Sequence, residues 1–484
     1  MNSISKNFLY NAAYQLLLIL LPLITTPYIS RVLGAERIGV YTYTYAVANY
    51  FMLVAMLGVK NYGNRSVAAV RDDRTQLSKI FWEIYGLQFF CSAIALMAYF
   101  GFIFTFEAEN HNIFLIQSIY VLSGMMDISW LFFGLEKFKI TVLRNIGVKL
   151  LSLGCIFLLV RTSDDLWIYT LIMTLSIFFS QGYLWLYVRR LVGWVRPTIK
   201  QMLSHLPAQL VLFVPVISVS LYKMMDKIML GQMCSYTQVG FYESAEKILN
   251  IPMGVITALG TVMLPRMSNL AAKSRISESR RYIYNSMLFA MFLASGMAFG
   301  IAGIAADFVP LFLGEGYLPA TGLLQMLTST VLFIAWANVI RTQYLIPNRL
   351  DKSYIISVLL GAVVNLVINV LLIPKKAAMG AVIGTVCAEG TVCLCQTMMV
   401  RNQLEIGRYL RDTLPFLLLG FGMYLLIGAI RPWLPGGIWT VAAQIVIGGG
   451  LYALAAGVYL SLTHPNTVRS IIKKKITTQR GNRT

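Results

Sequence analysis

Long apolar stretches, each bounded by a short polar or Gly/Pro-rich break, follow one another along the whole chain. An α-helix needs about 20 mainly apolar residues to cross a bilayer. By that measure the pattern predicts fourteen spans, at 8–32, 39–59, 80–104, 112–134, 142–160, 166–188, 206–229, 239–264, 282–305, 318–340, 353–373, 378–400, 413–430 and 438–461. The first apolar run, Phe8 to Ile29, is too long for a signal-peptide core and lacks a small-residue cleavage site, so it is expected to stay as a span. Pro22 and Pro27 lie inside the first span, Pro207 and Pro215 inside the seventh. Proline in a span kinks the helix and frees a carbonyl, which is tolerated where neighbours or a wet cavity satisfy it.

Composition agrees with that pattern: 57% of residues are hydrophobic, only 12% are charged, and the mean hydropathy is +0.69. A soluble chain carries about 25% charged residues, so this one cannot coat a water-facing surface of its size. The connections between spans are short and leave no room for a soluble catalytic domain. The expected class is an all-α integral membrane protein of about fourteen transmembrane helices. The net charge of +20 raises the question of nucleic acid. However, the loops on the side of the two termini hold 31 Lys and Arg, against 9 on the opposite side and adjoining span ends. Cytoplasmic loops collect such residues, so both termini are expected in the cytoplasm and no nucleic-acid partner is expected. The six cysteines form no CxxC pair and the three histidines are scattered, so neither a disulfide framework nor a zinc site is expected.

A duplication is visible between SRVLGAERIGVYTYTYAVA (30–48) and DKIMLGQMCSYTQVGFYESAEKIL (226–249). Each ends a span with an aliphatic run and a glycine, Gly34 or Gly231. Each then crosses a short loop and restarts with Gly-x-Tyr, at Gly39 to Tyr41 or Gly240 to Tyr242. The two copies sit six spans apart, an even offset that gives both halves the same orientation. The expected organisation is an N-lobe of spans one to six (1–190), a C-lobe of spans seven to twelve (191–400), a C-terminal helix pair (401–462) and a basic cytoplasmic tail (463–484). A substrate site is expected between the lobes near the midplane.

Ionisable groups within spans cost several kcal/mol by insertion scales, roughly 2.5–3.5, and so face a partner or water. Lys223, Asp226 and Lys227 share one helical face by their i, i+3, i+4 spacing, and Glu243, Glu246 and Lys247 repeat it on the next span. Two readings stay open: a self-neutralising cluster joining spans seven and eight, or cations lining a cavity for an anionic head group and released by the carboxylates. Arg31 either offers its planar fork to phosphate oxygens or snorkels to the interface. Tyr41, Tyr45 and Asn49 fall on one face of span two, Tyr41 fitting an interfacial belt and Asn49 the cavity. Asp127 and Glu389 are the deepest carboxylates. Asn365 with Asn369, and Asn338 with Arg341, fit helix–helix hydrogen bonding, and Gly380 to Thr385 form a small-residue packing face. Gly448 to Gly450 allow either close packing or a shallow apolar groove. Lys473 to Lys475 fit an anionic inner leaflet. No GxSxG, P-loop, HExxH or usefully spaced His–carboxylate pair is present, so neither catalysis nor a bound cofactor is expected.

KNFLYN (6–11), PLITTPYISRVLGAERIGVYTYTYA (22–46), MDISWLFFGLEKFK (126–139) and NLVINVLLIPKKAAMGAVIGTVCAE (365–389) resemble the Wzx-type polysaccharide repeat-unit flippases. These belong to the multidrug/oligosaccharidyl-lipid/polysaccharide superfamily. The resemblance covers essentially the whole chain. It implies two six-helix lobes with an extra helix pair. It also implies flipping of undecaprenyl-diphosphate-linked oligosaccharides, for O-antigen or capsule, across the bacterial cytoplasmic membrane by alternating access. Arg31 matches by position the arginines that face the diphosphate in related lipid flippases, with Lys223, Lys227 and Lys247 assisting; Asn49 and Tyr45, from their shared face on span two, are further substrate-binding candidates. Asp226, Glu243, Glu246, Asp127 and Glu389 are the candidates for charge balance or ion coupling. Membrane lipids and a polysaccharide polymerase complex are the implied partners. The rivals are an organic-cation antiporter, against which Arg31 argues, a membrane polymerase or ligase, which needs a large outer loop, and a scaffold.

Overall fold

The computed structural model describes residues 3–106 and 109–463, with side chains from residue 21 onward except at 215, 218, 221 and 222. The chain forms two compact units, Met1–Glu243 and Ser244–Thr484. Among the described residues there is no strand. The division falls within a helix, beyond the linker near residue 190, so the first unit includes the seventh span.

The first unit comprises α1 (Ser3–Met56), α2 (Val59–Val70), α3 (Arg74–Phe106), α4 (His111–Met126), α5 (Ser129–Gly134), α6 (Phe138–Leu159), α7 (Leu166–Leu191), α8 (Ile199–Ser204), α9 (Leu206–Met233) and the start of α10 (Tyr236–Ala272). Pro22 and Pro27 are carried inside α1, and the chain instead turns back at Gly34, where φ 75° and ψ 172° suit glycine. The packing shows the reversal. Tyr28 lies against Phe157 near the end of α6, Arg37 reaches Asp164 in the following connection, and Tyr41 packs on Tyr169 in α7. Twelve described stretches are long and apolar enough to cross a membrane. The first, Leu21–Val70, holds both passes of α1, and the 28-residue α9 adds another, which gives the expected fourteen.

Val59, Gly63 and Val67 fall at i, i+4, i+8 and give α2 its single buried face. Gly63 lies so near the Trp130 ring that an added Cβ would stand 2.6 Å from it. Trp130, Tyr99, Phe81, Phe114 and Phe132 are fully buried aromatics of the unit's core. In a bilayer such contacts, not hydrophobicity, hold helices together.

The second unit continues α10 and adds α11 (Ile276–Leu313), α12 (Ala320–Leu327), α13 (Ser329–Ile340), α14 (Asp351–Lys376), α15 (Ala378–Val400), α16 (Ile406–Ile430) and α17 (Gly437–Thr463). A π-helical turn, Arg341–Leu345, follows α13. Gly380 meets the backbone of Leu372 and Gly384 meets the Asn369 amide, so the small-residue face packs α15 on α14. The terminal pair α16–α17 packs on α11: Tyr452 donates to the Phe292 carbonyl at 2.7 Å, and Tyr284 donates to Asp412 at 2.6 Å. Gly448 faces Ile427 in close packing, whereas Gly449 and Gly450 are open. Large apolar side chains such as Val446 and Leu454 point outward on α17, as lipid contact requires. The basic tail with Lys473 to Lys475 lies outside the described residues.

Candidate functional site

The fourth pass is broken between α4 and α5. Asp127 there is extended (φ −77°, ψ 92°), and irregular backbone at this depth needs partners for its polar groups. They are present. The Gln88 amide donates to the carbonyls of Gly124 (2.7 Å) and Asp127 (2.8 Å) and accepts from the Trp130 indole N–H (3.0 Å). The Asp127 carboxylate accepts from the Ser129 amide at 3.0 Å and pairs with Lys60 Nζ at 3.2 Å. Asp127 is fully buried, while the Lys60 side chain is 60% exposed and turns its ammonium to that carboxylate. Arg144 on α6 lies within electrostatic reach of Lys60. It donates to the Ser180 carbonyl and the Gln181 side chain.

On α9 and the start of α10 the acidic and basic residues sort into partners. Lys227 Nζ lies 2.5 Å from a Glu243 carboxylate oxygen, with side chains only 10% and 12% exposed. Asp226, buried, accepts from the Tyr242 hydroxyl at 2.7 Å. Lys223 is exposed one turn earlier, and Glu246 and Lys247 are half-buried one turn further along α10. Asp226 lies within electrostatic reach of Tyr50, and Glu243 of Tyr41, both on the second pass. Between these clusters runs an aromatic strip. Tyr41 stacks on Tyr45, the Tyr45 and Tyr120 hydroxyls are 3.5 Å apart, and Tyr120 donates to Asn49 Oδ1 at 2.9 Å.

Arg31 is exposed at the end of the first pass. Glu389 is half-buried on α15 in the second unit, near Cys393. Asn338, Asn365 and Asn369 are buried and bonded: Asn338 to the Ile256 carbonyl, and Asn369 to Asn365.

The repeat keeps the register of the Gly-x-Tyr pair, whereas the match of Gly34 with Gly231 falls out of step with it. Gly231 is helical and packs on the Tyr43 ring, and the turn of the second copy falls at Cys234 and Ser235. The structural register is set by two glycine contacts, Gly39 against the Tyr236 carbonyl and Gly240 against the Ala35 carbonyl. The two pairs match each other under exchange of the copies, so Ala35 corresponds to Tyr236 and Gly39 to Gly240. Gln232 then takes the place of Arg31, and Thr25 and Thr26 the places of Asp226 and Lys227.

Folding also assembles polar groups that no local spacing reveals. His205, at the start of α9, lies 3.0 Å from Glu83 through Nε2 and 2.7 Å from the Tyr62 hydroxyl through Nδ1. This His–carboxylate pair is 122 residues apart in the chain. Lys60 and Arg144 look in sequence like ordinary loop cations. The Gly58 break before Lys60 and the Asp127-x-Ser129 step are the local signals that mark the region.

A sequence model of the family described as "Polysaccharide biosynthesis protein" matches residues 4–271. The chain is 24% identical over 407 residues to the "Putative O-antigen transporter" of Escherichia coli (strain K12), covering 83% of this chain and 97% of that protein. Its fold is similar to that of the lipid II flippase MurJ in an inward closed conformation, with a TM-score of 0.78 over 95% of this chain and 100% of the other, at 12% identity. It is also similar to an inward-facing multidrug resistance MATE family transporter of the MOP superfamily, with a TM-score of 0.60 over 80% and 95% at 12% identity. With more than half of its length matched, from the first span into α10, the chain belongs to the polysaccharide biosynthesis protein family.

Proposed function

We propose that the protein is a flippase. It moves undecaprenyl-diphosphate-linked oligosaccharide repeat units from the cytoplasmic to the outer face of the bacterial inner membrane by alternating access. The observation that carries this reading is the set of polar side chains in the first unit's membrane passes: the buried Asp127 paired with Lys60, the half-buried Tyr45 and Asn49 joined through Tyr120, and the nearly buried Lys227–Glu243 pair. Charges at that depth are costly and mark pathways for polar cargo. The similarity to an O-antigen transporter and to a lipid II flippase supports lipid-linked glycan as that cargo.

In this reading Arg31, Lys60, Arg144 and the lysines of α9 and α10 neutralise the diphosphate, and the tyrosines and Asn49 meet the sugar. Asp226, Glu243, Glu246, Asp127 and Glu389 balance charge or couple an ion. The fourteen passes put both termini on one side, and the Lys and Arg distribution supports the cytoplasm for them. A polymerase complex would receive the flipped unit, and no chemistry on the substrate is assigned to this chain. The test is a pulse label of lipid-linked sugars in cells lacking the protein. A complete repeat unit should accumulate on the cytoplasmic side and clear when the wild-type chain is restored. An unchanged lipid-linked pool with normal surface glycan would remove the flippase reading.

A further inference from the structure

Three connections of the first unit meet at one end of its helices: the turn within α1, the start of α4, and the link between α6 and α7. They enclose a cleft of about 460 Å³ lined by Arg37, Asn110, His111, Asn112, Asp164 and Trp167, with Ile113 and Leu166. That volume falls within the range of about 300–1,000 Å³ usual for small-molecule sites. We infer that this cleft is a carbohydrate-binding site that takes an uncharged part of the glycan. The inference rests on the flippase reading for its ligand.

The lining chemistry chooses among ligands. Arg37 and Asp164 stand 3.8 Å apart and cancel, so the cleft offers no net charge to a phosphate. Two carboxamides, an imidazole, a guanidinium and a carboxylate together present both donors and acceptors. A ring carrying many hydroxyls uses both kinds at once. The Trp167 indole is 51% exposed and offers an apolar surface to the C–H face of a pyranose. Buried Ile113 and Leu166 add apolar floor.

The cleft is also held in shape. Asp165 ties its loop by accepting from the amides of Arg161 (2.9 Å) and Thr162 (2.8 Å) and from the Thr162 hydroxyl (3.0 Å). The His111 ring packs on Phe104 with centroids 5.4 Å apart. A site fixed before its ligand arrives loses less ordering entropy on binding.

The test uses the full chain in nanodiscs. The probe is the free oligosaccharide released by mild acid from the cell's lipid-linked intermediates, and binding is read by saturation-transfer NMR and calorimetry. Trp167→Ala and Asn112→Ala, both at exposed positions, should leave thermal stability unchanged and weaken binding about tenfold each. Equal binding by wild type and both variants overturns the inference, as does binding of inorganic phosphate in place of the oligosaccharide, or no binding at all. The pulse label in cells reports separately. Accumulation of lipid-linked units together with variant-insensitive binding removes the cleft alone. No accumulation together with variant-sensitive binding removes the flippase reading alone.

Discussion

Replacing Lys227 by methionine leaves the Glu243 carboxylate in a site where its side chain is only 12% exposed, and Glu243→Gln leaves the lysine ammonium 10% exposed in the same place. Breaking a buried pair on one side costs about 3–5 kcal/mol, because the remaining charge keeps its desolvation penalty without its partner. In a membrane the unfolded reference also finds polar partners, so each single substitution is expected near the lower end, at about 3 kcal/mol. The double variant K227M/E243Q removes both the attraction and the penalty and should return to within about 1 kcal/mol of wild type. Stability is read by thermal unfolding in nanodiscs, and flux by clearance of labelled lipid-linked units in cells lacking the native chain. A stable double variant with flux reduced tenfold or more would assign the pair to transport, through Lys227 at the diphosphate, where a charge-assisted hydrogen bond contributes about 1.5–3 kcal/mol, or through Glu243 in charge balance. A stable double variant with normal flux would make the pair a structural clasp. Single variants as stable as wild type would refute the desolvation reasoning itself.

Gly39→Ala and Gly240→Ala place a Cβ against the carbonyls of Tyr236 and Ala35, which are backbone and cannot swing aside. Each should cost about 1–3 kcal/mol, and unfolding midpoints equal to wild type for both would show that the helix ends are free to separate. His205→Ala strands Glu83 and the Tyr62 hydroxyl, at about 1–3 kcal/mol for each group left unpaired. His205→Gln, which keeps a donor, should recover part of that loss, and identical unfolding of the two variants would deny the hydrogen-bond role. Asp127→Ala removes the acceptor for the Ser129 amide and the partner of Lys60. It should open the break in the fourth pass, seen as faster amide exchange around residues 124–130, while unchanged exchange would place the rigidity elsewhere.

The fourteen passes are legible because an apolar run of bilayer length is rarely anything but a membrane helix. The small-residue face from Gly380 to Thr385 is also readable, since glycine and alanine at close spacing announce helix contact before any partner is known. The duplication is visible, and its Gly-x-Tyr pair, Gly39 with Gly240, already carries the structural register. The aliphatic-Gly pattern misleads by drawing Gly34 onto Gly231, out of step with the contacts of Gly39 and Gly240 on the backbones of Tyr236 and Ala35. The charges of α9 and α10 show their helical faces, yet face alone does not say that Lys227 meets Glu243 while Asp226 meets Tyr242. His205 and Glu83 are hidden for a simpler reason. Their pairing depends on the start of α9 reaching α3, a long-range contact that local spacing does not encode.

The most direct measurement is translocation by the purified chain alone. Liposomes carrying the lipid-linked repeat unit with a labelled sugar would be prepared with and without the protein, and the sugars exposed outside counted by their oxidation with membrane-impermeant periodate. In protein-containing vesicles the protected fraction should become accessible with time, and Lys227→Met and Arg31→Ala should slow that exposure. A protected fraction equally stable in both preparations, under an imposed ion gradient as well as without one, would mean that the chain does not flip this lipid.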